Sequence, residues 1–152
     1  MTPPPTPTRP HASALRRGRW SERGRVYLIT AVTDGRVPLF DEILCARAVV
    51  RALMRAQALG QAQTLAYVLM PDHLHWLLSL GEAAELSLVV RAVKSLSTRE
   101  IGRPVWQRGF HDRALRREAD LREAARYIVA NPLRAGIVSR VGEYPHWDAV
   151  WL

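Results

Sequence analysis

Residues 67–80 read YVLMPDHLHWLLSL, an apolar run rich in strand formers and broken once, at Pro71-Asp72. Proline cannot donate to a sheet ladder and aspartate favours turns, so the break predicts a tight turn between two antiparallel strands. Side chains two apart in a strand share a face. His73 and His75 therefore project together, while Leu74, Trp76 and Leu78 project the other way, into a core. Two imidazoles on one sheet face can ligate a metal. The same spacing also describes two half-exposed histidines that bind nothing.

Outward from this hairpin the chain alternates strand and helix patterns. Residues 26–32 (VYLITAV) are β-branched and apolar and predict a first strand, followed by a loop at 33–38 around Asp34-Gly35. Residues 41–59 have helical periodicity, with Ile43, Val50, Leu53 and Met54 as the apolar face and Gly60 as the stop. Arg47, Arg51 and Arg55 recur every four residues on that helix and form one basic stripe. Residues 64–70 and 73–80 are the second and third strands, the latter ended by Gly81.

A second helix is expected over 85–101, with Leu86, Val89, Val93 and Leu96 inward, Arg91, Lys94, Ser95 and Thr98 outward, and Gly102 as terminator. Residues 105–115 (VWQRGFHDRAL) read as an extended segment, the fourth strand. A third helix over 118–130 turns Leu121, Ala125 and Ile128 inward and closes at Asn131-Pro132, because the residue before a proline avoids the helical region. Residues 138–152 form a tail whose Tyr144, Trp147 and Trp151 are expected to pack on the domain. The order β-α-β-β-α-β plus a third helix is an α+β, ferredoxin-like plan. It has an antiparallel sheet, helices on one face and the other face free for ligand.

The chain has 152 residues, 48% of them hydrophobic and 24% charged, which suits one globular domain. Residues 1–14 are proline- and threonine-rich and predict disorder, leaving a single domain over 15–152. No apolar run reaches the roughly 18 residues of a membrane span, and the first residues lack the apolar stretch of a secretory signal. Cys45 is the only cysteine, so no internal disulfide can form and a reducing, cytoplasmic setting is expected.

The net charge is +8 and the isoelectric point near 10.9, which favours an anionic partner, most often nucleic acid. Lys94 is the only lysine; arginine over lysine, beside abundant alanine, follows genome composition and says little about recognition. A basic arm carrying Arg16, Arg17 and Arg19 flanks Trp20, a composition that can grip phosphates and stack a base, or simply stay solvated.

One free face, two histidines and a basic surface together suggest phosphodiester chemistry. A metal on His73 and His75 would act as a Lewis acid on a phosphate oxygen, with open positions for a further ligand. In R-Y-I-V-A-N-P, Tyr127 and Asn131 are four apart and share a helical face. If that helix packs over the histidines, Asn131 offers a carbonyl oxygen and Tyr127 a phenolic nucleophile. Alone, each would pass as a structural helix residue.

Three spaced blocks carry a resemblance. YVLMPDHLHWL resembles the histidine–hydrophobe–histidine (HUH) signature of single-tyrosine transposases, and VWQRGFHDRALR and YIVANPLRAGIV resemble the other blocks of the REP-associated tyrosine transposases. LRRGRWS, VYLITAVT and PLF near the start resemble the same group, so the likeness runs from about Leu15 to the end. It implies that His73, His75 and Asn131 hold Mg²⁺ or Mn²⁺, the donor set suiting Mn²⁺ better. It implies Tyr127 as nucleophile on single-stranded DNA at the foot of a palindromic hairpin, giving a 5′-phosphotyrosine link and a free 3′-hydroxyl. It also implies a monomer rather than a dimer; from the sequence no membrane association is expected and no protein partner is evident. Arg108 and Arg134 are candidate phosphate contacts, or plain surface arginines. The tail YPHWDAVWL departs from the usual ending of the group. Alternatives are a non-catalytic binder of DNA hairpins on the same scaffold and a ferredoxin-like RNA binder.

Overall fold

The computed structural model describes residues 25–150. The expected disordered start, the basic arm with Arg16, Arg17 and Arg19, and Trp151 lie outside them. The elements run β1 (Val26–Val32), α1 (Ile43–Ala58), β2 (Ala62–Met70), β3 (His73–Leu80), α2 (Leu86–Ile101), β4 (His111–Leu115), α3 (Glu118–Val129), a short α4 (Asn131–Arg134) and β5 (Trp147–Ala149). The sheet has five strands in the order β4-β1-β3-β2-β5, and every pairing is antiparallel. The first four strands reproduce the ferredoxin-like plan. The fifth is an addition: three tail residues zip onto the β2 edge, with Val68 opposite Trp147 and Ala66 opposite Ala149.

The β2–β3 hairpin turns at Pro71-Asp72, and its register sets Met70 against His73 and Val68 against His75. β3 is bonded on both sides, since Thr30 and Val32 of β1 also pair with His75 and His73. Its even and odd residues therefore serve two different cores. Leu74, Trp76, Leu78 and Leu80 join Tyr27, Ile29 and Leu69 beneath α1 and α2. The fully buried Trp76 donates its indole N–H to Thr64 Oγ1 at 2.9 Å, so no polar atom of the ring is left unsatisfied.

The opposite face is not free over its whole extent. Val26, Ala66, Val68, Met70, Leu77 and Leu115 pack there against Ala124, Ala125, Ile128 and Val129 of α3, with Tyr144 and Ala149 of the tail. Along β3 this face reads His73, His75, Leu77. The helix covers the apolar end, and the histidines emerge where the apolar cover stops.

Several boundaries differ from the periodicity, for identifiable reasons. A 3₁₀ turn at Leu39–Asp41 precedes α1, so the helix begins at Ile43 rather than 41. Ile43 and Met54 are exposed; the buried stripe is Cys45, Ala46, Ala48, Val49, Ala52, Leu53 and Ala56. Small alanines let α1 lie close to its neighbours, which a search for large apolar residues overlooks. Leu96 is likewise exposed, and Ser97 takes the inward position. Lys94, expected outward, is half-buried and donates to the carbonyls of Gln107 and Gly109. Only His111–Leu115 of the expected fourth strand is strand; before it Trp106 makes one isolated bridge to Thr33. Gly81 is required by proximity: a Cβ there would meet the Gly60 carbonyl oxygen at 2.1 Å.

The tail is fastened by Tyr144, whose buried hydroxyl donates to the Leu69 carbonyl at 2.5 Å. Burial, with the Asp41 carboxylate adding to it, pushes this phenol up to about 12. The stability contributed is full below the ordinary tyrosine range near 10 and is lost as pH rises toward about 12. Tyr144→Phe should cost about 1 kcal/mol at neutral pH by denaturant titration. It should also shrink the alkaline loss of stability between those limits; an unchanged midpoint would mean that the tail does not depend on this bond.

Candidate nucleic-acid site

His73 and His75 lie side by side, ring centroids 4.8 Å apart and nearly perpendicular. Each has its Nδ1 engaged by a neighbour. His73 Nδ1 is 2.8 Å from Asp72 Oδ1, and His75 Nδ1 is 2.9 Å from Thr30 Oγ1. In the tautomers that make both bonds donations, the two Nε2 lone pairs stay available on one face. An orienting partner on the remote nitrogen is the support that histidine ligands ordinarily have.

Asp72 is fixed in turn by Arg36, whose Nε donates to Oδ2 at 3.0 Å. Arg36 is the one non-glycine residue with positive φ among the described residues, at +56°, a conformation that the surrounding structure must hold in place. Burial raises the Asp72 carboxyl, but the bond from His73 and the charges of His73 and Arg36 outweigh it and hold the group below its ordinary value. Burial lowers His75 to about 4, and the charges of His73 and Arg134 act the same way. His75 is therefore a neutral imidazole at physiological pH, the form that binds a metal.

α3 ends at Val129, and after Ala130 the chain resumes in α4 with Asn131 as its first residue and Pro132 buried behind it. Asn131 is thus not on a continuous helix with Tyr127, as the four-residue spacing implied, although the break is a single residue. Its half-buried side chain makes no hydrogen bond with the described residues. Tyr127 is 57% exposed. Arg134 is held against Tyr127: Nη1 donates to the Tyr127 carbonyl at 2.7 Å, and the guanidinium lies 3.8 Å above the Tyr127 ring. The same cation is near enough to His75 to lower it.

Beside Tyr127 an open groove of about 640 Å³ runs between α3 and the β1–β4 side of the sheet, lined by Thr30, His111, Arg113, Asp120, Glu123 and Tyr127 among others. Arg108 is elsewhere. It lines a second groove, of about 920 Å³, between α2 and residues 104–110, with Arg91, Lys94 and Arg99 and no acidic side chain. Thr30, which orients His75, carried no sign of its own in the sequence; Asp72 was legible only as a turn residue.

Among the described residues no three His, Cys, Asp or Glu side chains are grouped to hold a metal. The residues that could hold an ion are the two imidazoles on one face of β3, and Asn131 at the start of α4 carries a further oxygen donor.

The model of a family described as "Transposase IS200 like" matches residues 25–130. A REP-associated tyrosine transposase of Escherichia coli (strain K12) is 33% identical over 82 residues, covering 53% of this chain and 50% of that protein. A Haemophilus influenzae relative is 27% identical over 100 residues, covering 55% of this chain and 57% of its own length. The chain thus spans a little over half, at most, of the curated relatives it matches. A solved structure of a REP-associated tyrosine transposase bound to a REP hairpin superposes with a TM-score of 0.71 at 26% identity, covering 82% of this chain and 76% of that one.

If Thr30 orients His75, Thr30→Val should weaken Mn²⁺ binding by about 10- to 100-fold in calorimetric titration, as losses of remote histidine partners do. The melting temperature should stay close to that of the wild type. Equal affinity in the two proteins would remove Thr30 from the account.

Proposed function

The chain belongs to the IS200-like transposase family, and from that premise we propose that it cleaves and rejoins single-stranded DNA at the foot of palindromic, REP-type hairpins through Tyr127. The observation that carries this reading is Arg134, which touches the Tyr127 ring and acts electrostatically on His75. Nucleophile and histidine pair come from elements far apart in sequence, yet one cation is close to both.

His73, His75 and Asn131 would hold a divalent ion, Mn²⁺ or Mg²⁺. Such an ion, when bound, supplies Lewis-acid polarisation of the scissile phosphate. The chain's own residues do the rest. The Tyr127 phenolic oxygen attacks phosphorus, an O–P bond forms to the ring, and the bond to the 3′-oxygen breaks, leaving a 5′-phosphotyrosine and a 3′-hydroxyl. Attack by a 3′-hydroxyl reverses the step and rejoins strands. Arg134 holds the ring by stacking and places positive charge where the phosphate oxygens gather negative charge. Asp72 and Thr30 keep both imidazoles turned with Nε2 outward. The acid-free groove with Arg91, Lys94, Arg99 and Arg108 suits a phosphate backbone, as does the basic arm with Arg16, Arg17 and Arg19.

With Mn²⁺ and an oligonucleotide carrying a hairpin, wild-type protein should give a covalent species resistant to denaturing gel conditions. Tyr127→Phe should abolish it while hairpin affinity changes less than about threefold, because one hydroxyl is lost from an exposed ring. Covalent product from the phenylalanine variant would move the nucleophile elsewhere, and wild-type binding without any product would favour a hairpin-binding protein with no strand chemistry.

A further inference from the structure

We propose that His111 takes the phenolic proton of Tyr127 during attack and returns it on reversal, an assignment that rests on the tyrosine reading above. The sheet register supplies the first observation. Thr30 of β1 stands opposite His75 on one side and opposite His111 on the other. Residues directly opposite in antiparallel strands point to the same face. His111, Thr30 and His75 therefore form one row across three strands, on the face that α3 covers.

The second observation is the groove. His111 and Tyr127 line the same cleft, with Thr30 in its floor. His111 is exposed and makes no side-chain hydrogen bond with the described residues. By contrast, both histidines of the pair have Nδ1 engaged, and in the proposed reading their Nε2 atoms would hold the ion, which leaves neither for proton transfer. The other titratable and charged groups lining the cleft with His111 are Asp112 and Arg113 on its own strand and Asp120 and Glu123 on α3; Arg134 lies over the Tyr127 ring. Asp120 is committed to Arg117 through two bonds of 3.0 and 3.2 Å. Glu123, one turn before Tyr127, is the competing base. An imidazole can accept a proton on one nitrogen while the other donates, so His111 can take the phenolic proton and hand it back within one cycle.

The step balances without a further reactant. As the Tyr127 oxygen bonds to phosphorus, its proton passes to an unprotonated ring nitrogen of His111. The electron pair of the broken P–O bond leaves with the 3′-oxygen, which takes a proton from solvent. In rejoining, a 3′-hydroxyl gives its proton to solvent, and His111 returns its own to the departing tyrosine.

The test is the single-turnover rate of covalent product at saturating hairpin oligonucleotide and Mn²⁺. It is measured from pH 5.5 to 8.5, roughly the range over which imidazole titrates, for wild type, His111→Ala, His111→Gln and Glu123→Gln. Both His111 variants should be slower by about 100-fold and lack the wild-type rise of rate with pH. Free imidazole should restore His111→Ala, and Glu123→Gln should keep the wild-type profile. His111→Ala within threefold of wild type would overturn the assignment and leave Tyr127 standing. A slow His111→Ala that keeps the rise and ignores imidazole would also overturn it, making His111 a DNA contact. Transfer of the missing rise to Glu123→Gln would give the proton to the glutamate. No covalent product from wild type would overturn the tyrosine reading and this assignment with it.

Discussion

The pleat of β3 is the constraint from which the rest of the structure follows. Hydrogen-bonded on both edges, the strand cannot slip by one residue without turning Leu74, Trp76 and Leu78 out of the larger core and both imidazoles into it. Burying Trp76 alone is worth several kcal/mol, since truncating such a side chain typically costs about 3–5 kcal/mol. That same energy holds His73 and His75 on the opposite face. The site is thus rigid because its positions are by-products of core packing, and rigidity is what two ligands need if they are to meet a metal without reorganising.

The second face completes the arrangement. Its apolar part, Ala66, Val68, Met70 and Leu77, calls for cover, and α3 supplies it with Ala124, Ala125, Ile128 and Val129. Packing fixes where the helix ends, and the end carries Tyr127 and then Asn131 and Arg134. Charge is divided between two clefts. The one beside Tyr127 holds Asp120 and Glu123 with Arg113 and His111, while the one under residues 104–110 is lined by cations without acids. In the proposed reading a metal and Arg134 offset the acids where the phosphate reacts, and the basic cleft is free to hold backbone away from the chemistry.

Much of this was legible in the chain. The His-x-His spacing, the Pro71-Asp72 break and the long apolar strands gave the hairpin, its facing and the β-α-β-β-α-β order of elements along the chain. The element types and the facing of the histidines follow from local rules of pleat and turn. What escaped local rules was set by neighbours. The alanine-lined interface of α1 has too little hydrophobic contrast to reveal which side is buried, so Ile43 and Met54 looked like core. The fifth strand is three residues long and forms only because the β2 edge is there to pair with. Thr30 matters through its register opposite His75, which no reading of residues 26–32 alone discloses. The helix end near Asn131-Pro132 was legible, but the resumption of helix at Asn131 and the stacking of Arg134 on Tyr127 are seen only in the structure.

The central claim is that the histidine pair is half of a site that the end of α3 and the start of α4 complete. Paramagnetic broadening by substoichiometric Mn²⁺ in isotope-labelled protein measures this directly. The account predicts that the ring signals of His73 and His75 broaden first, together with the Tyr127 ring and the Asn131 side-chain amide, while Arg91, Arg99 and Arg108 stay sharp. Broadening confined to β3, or centred on Asp120 and Glu123 with Asn131 unaffected, would contradict it.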